Sequence, residues 1–206
     1  MKKALVSLLS AGMAVSALSM TSVSAASVKD QALKAYDSLL SNQTISWSDG
    51  QKVSLKGSQF ALVNLDKDST PELVVQAKNT DMAHGIYAIY TFRNGKATRV
   101  NLNGIDNLAY YPKKNVIRVT RYGQGYTYDY YVMNNKPVQV LEENHFIEEG
   151  TDKLTKTYLN RSNKKISVKT FNKQLKSQVG KTKAVKLTYT KNSAANRKAA
   201  LNRVEG

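Results

Sequence analysis

The chain has 206 residues, 31 Lys+Arg against 15 Asp+Glu for a formal net charge of +16, and no cysteine. Without cysteine there is no disulfide scaffold, thiolate zinc site, iron–sulfur cluster or cysteine nucleophile, and two histidines argue against a His-rich metal site. A hydrophobic content of 41% with three prolines argues against wholesale disorder.

In chain order, Met1-Lys2-Lys3 supplies a positive n-region and Ala4 to Leu18 an uncharged apolar or small run. Val23-Ser24-Ala25 then carries the small residues a signal peptidase requires, which predicts a signal peptide over residues 1–25. The run falls short of the roughly 20 residues that span a bilayer, and the mature chain holds no other candidate span. Residues 26–206 are expected to form one mature domain. Ala32, Ala35, Leu39 and Leu40 recur near a 3.6 period and predict a helix over Val28 to Leu40, capped by Ser27. Ser48-Asp49-Gly50 reads as a turn, and His84 as a loop residue. Phe60 to Val63 and Leu73 to Val75 are apolar runs on either side of a polar loop, and predict a hairpin. Ile86 to Phe92 predicts a strand that turns at Asn94-Gly95, since both residues tolerate φ > 0. Val116 to Thr120, Tyr126 to Met133, Val138 to Leu141 and Lys153 to Leu159 predict further strands, with a turn at Asn134-Asn135. Phe171, Leu175 and Val179 predict a helix between Ser167 as cap and Gly180 as stop. Val185, Leu187 and Tyr189 alternate with polar residues and predict a strand facing them inward; Ala194 to Val204 predicts a helix. The fold class expected is α+β: mainly antiparallel β hairpins, an N-terminal helix and a basic C-terminal helix–strand–helix region.

Charge divides sharply. Residues 26–149 carry 14 Lys+Arg against 13 Asp+Glu, whereas residues 150–206 carry 15 against 2, a net of +13. The C-terminal lysines, Lys164, Lys165, Lys173, Lys176, Lys181 and Lys183 among them, form a candidate surface for polyanions. Export without any cysteine fits a bacterial secretory product, and for such a chain the expected polyanion is an anionic cell-wall polymer or a membrane surface. Export and the lack of a recognition motif argue against nucleic acid.

The stretch richest in chemistry is Asn64-Leu65-Asp66-Lys67-Asp68-Ser69-Thr70-Pro71-Glu72. Side-chain oxygens at Asn64, Asp66, Asp68 and Glu72, with the Thr70 carbonyl, have the alternating spacing that can surround one hard cation such as Ca²⁺. The alternative is a polar turn without metal. It is no EF-hand, because Val75 stands where the bidentate glutamate would. The block resembles the calcium hairpin loop of integrin-type FG-GAP and VCBS repeats. It is more similar still to the Asp-x-Asp-x-Asp-Gly-x-Pro-Glu-Leu block of secreted proteins from Gram-positive bacteria. The similarity extends to the aromatic strand ending in Asn94-Gly95-Lys96, to Tyr110 to Asn115, and to Asn192 to Lys198. It implies a calcium-clamped hairpin and an extracellular or cell-wall setting, and lends no reaction. Asn64 replaces the family's leading aspartate and Ser69 its glycine, so weak, structural binding is expected, at about 10⁻⁴–10⁻³ M.

Tyr126, Tyr128 and Tyr130 fall on one face of a strand. Exposed, they would be a glycan-binding row; covered, they would be core. A hydrolase could be argued from Glu142, Glu143, Glu148, Glu149 and His145, but no nucleophile elbow or His-Glu-x-x-His is present. The expected function is therefore a non-enzymatic secreted protein, with glycan binding as the alternative.

Overall fold

The computed structural model describes residues 27–46, 52–77, 86–102, 105–123, 125–133 and 136–205. The expected signal peptide, the expected turns at Ser48-Asp49-Gly50 and Asn134-Asn135, and His84 lie outside these residues.

The protein is rich in antiparallel β-structure, with one N-terminal and two C-terminal helices. Helix α1 (Val28–Ser41) starts where the Ser27 hydroxyl accepts the Asp30 N–H and the Asp30 carboxylate accepts the Ser27 N–H. This reciprocal cap satisfies two amides that no helical carbonyl can reach. A small hairpin, β1 (Thr44–Ser46) with β2 (Lys52–Ser54), follows. A five-stranded sheet contains β3 (Gln59–Val63), β4 (Glu72–Ala77), β5 (Ile86–Arg93) and β6 (Lys96–Val100). Phe60 pairs with Val75, so the expected hairpin around the acidic loop is present. Asn94 and Gly95 both take positive φ at the β5–β6 turn, the conformation their sequence demands.

A six-stranded sheet contains β7 (Asn107–Tyr111), β8 (Val116–Tyr122), β9 (Gly125–Met133), β10 (Pro137–Ile147) and β11 (Leu154–Asn160). Two corrections to the expected strands arise here. Strand β7 was not anticipated, and β10 runs on through the acidic Glu142-Glu143-Asn144-His145 stretch rather than ending at Leu141. Charged residues persist in β10 because Glu142 and Glu143 find hydrogen-bond partners on the two faces of the sheet. Helix α2 (Val168–Val179) is capped by the Ser167 hydroxyl and stopped by Gly180 at φ 63°. The expected strand over Ala184 to Tyr189 is shorter: only β12 (Val185–Lys186) pairs, followed by β13 (Thr190–Lys191) and α3 (Ala194–Glu205). Val185 is exposed, not inward, because β12 lies at the sheet edge; Leu187 and Tyr189 do pack inward.

Four layers result. Ala32, Tyr36 and Leu40 of α1 and Ala200 of α3 pack on Phe60, Leu73, Val75 and Tyr90 of the five-stranded sheet. The opposite face of that sheet (Ala61, Val63, Val74, Ile89) meets Leu108, Ile117, Val119 and Met133 of the six-stranded sheet. Burial on both faces explains the unbroken Leu73-Val74-Val75 run. The outer face of the six-stranded sheet is covered by α2, with Phe171 and Val179 on Tyr111, Val116, Tyr130 and Leu141. The C-terminal segment supplies an edge strand to each sheet: β12 pairs with β7, and β13 with β3. Asn192 fixes it by donating to the Leu40 carbonyl (2.9 Å) and the buried Ser58 hydroxyl (3.1 Å) and accepting from Arg197. Arg197 also pairs with Asp37 of α1 at 2.8 Å.

Candidate functional site

The acidic loop lies between β3 and β4, beneath α1. Asp66, Asp68, Thr70 and Glu72 line one cavity of about 120 Å³, with Asn115 and Met133 from the six-stranded sheet. Asn64 faces the other side of the loop, toward Lys113 and Tyr110. Four of the five expected ligand residues are thus gathered and one is apart. Each carboxylate supports its own loop: Asp66 accepts the Asp68 N–H, Asp68 accepts the Thr70 N–H, and Glu72 accepts the Leu65 N–H at 3.0 Å. Arg93 lines the same cavity. Burial, with Asp66 and Asp68 adding repulsion against the Leu65 N–H, pushes the Glu72 carboxyl up to about 7. Burial likewise raises Asp68, helped by Asp66. The Tyr36 hydroxyl, buried without a hydrogen-bond partner, is raised by burial and then by the fields of Glu72 and Asp68. Among the described residues no three acidic or histidine side chains stand in a ready metal-ligand arrangement.

The tyrosine row is divided. Tyr126 is 50% exposed and meets Tyr122 edge-to-face at 5.5 Å. Tyr128 is half-buried, with the Arg118 guanidinium over its ring and His145 at its edge. Tyr130 is buried at 3% exposure against Phe171 of α2. The period-2 placement is as expected, but α2 covers one end, so the three rings do not form an open platform. On the same face the Glu143 carboxylate is 2.6 Å from His145 Nε2 and accepts the Tyr130 hydroxyl at 3.3 Å. Glu142 and His145, three residues apart on a strand, project to opposite faces.

The inner face of the same strands carries a polar array that sequence reasoning missed. Asp129, fully buried, has the Arg121 guanidinium beside it as an ion partner and accepts from Gln139 Nε2 at 2.8 Å. Gln139 also donates to Glu142, Glu142 accepts from Asn144 at 2.6 Å, and Asn144 accepts the Thr127 hydroxyl at 2.8 Å. A register shift between Gln139 and Leu141 brings Gln139 onto the face of Glu142 and Asn144 despite its opposite parity. Burial, with Glu142 acting against Arg121, pushes the Asp129 carboxyl up to about 6.

Helix α2 turns Lys169, Lys173 and Lys176 outward on one stripe, at i, i+4 and i+7. Lys164, Lys165, Lys181 and Lys183 flank it, all exposed, and none of the seven makes an ion pair among the described residues. No helix among the described residues is long and apolar enough to cross a membrane.

Comparison with protein-family models, curated proteins and solved structures gave no match to this chain.

Proposed function

We propose that this chain is an exported, non-enzymatic protein that associates with the bacterial cell wall through its cationic C-terminal region. The observation that carries this reading is the α2 stripe: exposed lysines with no acid partner, in a segment of net charge +13. Such a surface attracts polyanions over a Debye length and releases them as salt rises. The N-terminal leader pattern supports export, and export makes wall polymers the accessible polyanions.

In the same reading the Asn64–Glu72 loop takes a weak structural Ca²⁺, supplied mainly by Asp66, Asp68, Glu72 and the Thr70 carbonyl. Three carboxylates gathered around one small cavity, with burial, Asp66 and Asp68 raising the Glu72 carboxyl, support it. The cation would neutralise their repulsion and hold the β3–β4 hairpin.

Retention on isolated Gram-positive walls tests the surface. The protein should stay bound at low ionic strength and elute as salt rises, and Lys173→Glu with Lys176→Glu should shift elution to lower salt. A protein that washes off at low ionic strength overturns the proposal. For the loop, millimolar calcium should raise the Tm, and Asp66→Ala with Asp68→Ala should abolish the rise.

A further inference from the structure

On the inner face of the six-stranded sheet, where β8 to β11 extend past the five-stranded sheet, lies an open pocket of about 370 Å³. Its lining includes Arg121, Tyr126, Thr127, Asn144, Phe146 and Thr157. The register puts Arg121 beside Thr127, Thr127 beside Asn144 and Asn144 beside Thr157, so these four form one row on a single face. Gly123, Gly125 and Phe146 form the next row. Gly125 passes so close to the His145 carbonyl that no Cβ fits there. At Gly123 the space is open, and Phe146, 37% exposed, walls one side.

We infer that this pocket is a binding site for a neutral glycan. Its volume is at the small end of the roughly 300–1,000 Å³ typical of ligand pockets. What it offers a ligand is two threonine hydroxyls, an amide, a guanidinium and the rings of Phe146 and Tyr126. Sugars require that mixture, since they present adjacent hydroxyls on their edges and C–H groups on their faces. The polar side chains are also fixed in advance. Asn144 is held by Glu142 at 2.6 Å and by Thr127 at 2.8 Å, and Arg121 by Asp129. Glu142 and Asp129 are in turn bridged by Gln139. Side chains already ordered by charge-assisted hydrogen bonds lose little entropy on meeting a ligand. Asn144 keeps one amide hydrogen and one carbonyl lone pair for that purpose.

Other ligand classes fit less well. The positive charge of Arg121 is spent on Asp129, so no cation cluster awaits a phosphate. The lining is too polar and open for a lipid chain. Tyr128 and Tyr130, on the opposite face of β9, are not part of this site, whereas Tyr126 lines its rim. The inference does not rest on the wall-polymer reading, because a neutral sugar in a pocket and a polyanion on α2 are separable by salt.

The test is calorimetric titration of the mature protein with three neutral tetrasaccharides, of β-1,4-glucose, α-1,4-glucose and N-acetylglucosamine. Saturable binding of at least one is expected, with Kd on the order of a millimolar, unchanged at about 0.5 M salt. Phe146→Ala and Asn144→Ala should each weaken it by about tenfold or more, while Tyr128→Ala, on the opposite face of β9, leaves it intact. Phe146 is partly exposed, so its truncation keeps the fold, which circular dichroism would verify. No saturable binding at about 20 mM of any of the three overturns the inference. So does binding lost in Tyr128→Ala but kept in Phe146→Ala, or binding that disappears in salt.

Discussion

Replacing Glu72 by glutamine should make this protein more stable at alkaline pH and leave it unchanged in acid. Burial beside Asp66 and Asp68 moves the Glu72 carboxyl from its ordinary 4.5 to about 7. Its pKa is raised on folding, so the contribution of Glu72 is fully present below pH 4.5 and is lost as pH rises through 7. At about 1.4 kcal/mol per unit, keeping Glu72 ionised above pH 7 costs the fold about 3 kcal/mol. Glutamine is neutral at every pH, and its carbonyl oxygen can still accept the Leu65 N–H that Glu72 accepts at 3.0 Å. Urea unfolding of Glu72→Gln and the wild type in EDTA should coincide near pH 4. At pH 8 the variant should be the more stable by about 3 kcal/mol, a rise in Tm of roughly 6–12 °C. Under the calcium proposal, millimolar calcium at pH 8 should lift the wild type and not the variant. A stability difference that stays the same between pH 4 and pH 8 would refute the reasoning. So would a variant that is weaker at pH 8, because Glu72 would then be a net asset when ionised.

Three further substitutions probe the scaffold. Asn192→Ala removes the bonds to Leu40 and buried Ser58, and should cost about 1–3 kcal/mol by chemical unfolding. Gly125→Ala forces a methyl against the His145 backbone and should cost about 1–3 kcal/mol, whereas Gly123→Ala, with open space around it, should be close to neutral; equal effects would show that the β9–β10 approach is looser than described. Phe171→Ala empties the contact between α2 and the six-stranded sheet, and should lower stability by about 3–5 kcal/mol, read as a fall in urea midpoint.

The elements defined by a short repeating pattern were legible in the sequence. Ser27 with Asp30 and the Ala32–Leu40 stripe announced α1, and Asn94-Gly95 announced its hairpin turn. Ser167, Phe171 and Gly180 announced α2. The loop was visible because its oxygens are local, and its carboxylates do share one cavity. Asn64 could not be placed this way, since which side of a loop a residue faces depends on the chain packed against it. Two structural features defeated the pattern. Helix α2 comes from a distant part of the chain and covers Tyr130, so three equivalent tyrosines acquire three different environments. The bulge before Leu141 reverses strand parity, and that reversal collects Gln139, Glu142 and Asn144 with Asp129. The charge runs in β10 look like an exposed surface until that reversal is known. Asp129, an acidic residue in the middle of an aromatic-rich strand pattern, was the one signal that could have drawn attention to the array.

The last strands have a kinetic consequence. Residues 185–191 close one edge of each sheet, pairing with Ala109 and Tyr110 on one side and with Gln59 and Phe60 on the other. A chain delivered N-terminus first therefore leaves both edges open until almost all of it has emerged, and the longest-range contacts form last. Until then both sheets offer unpaired amides and carbonyls to any passing strand. Under the export proposal, that delay becomes useful: a chain that cannot seal itself early stays threadable through a translocation pore. The same property makes removal of the C-terminal segment a change in aggregation behaviour and not simply the loss of a basic surface.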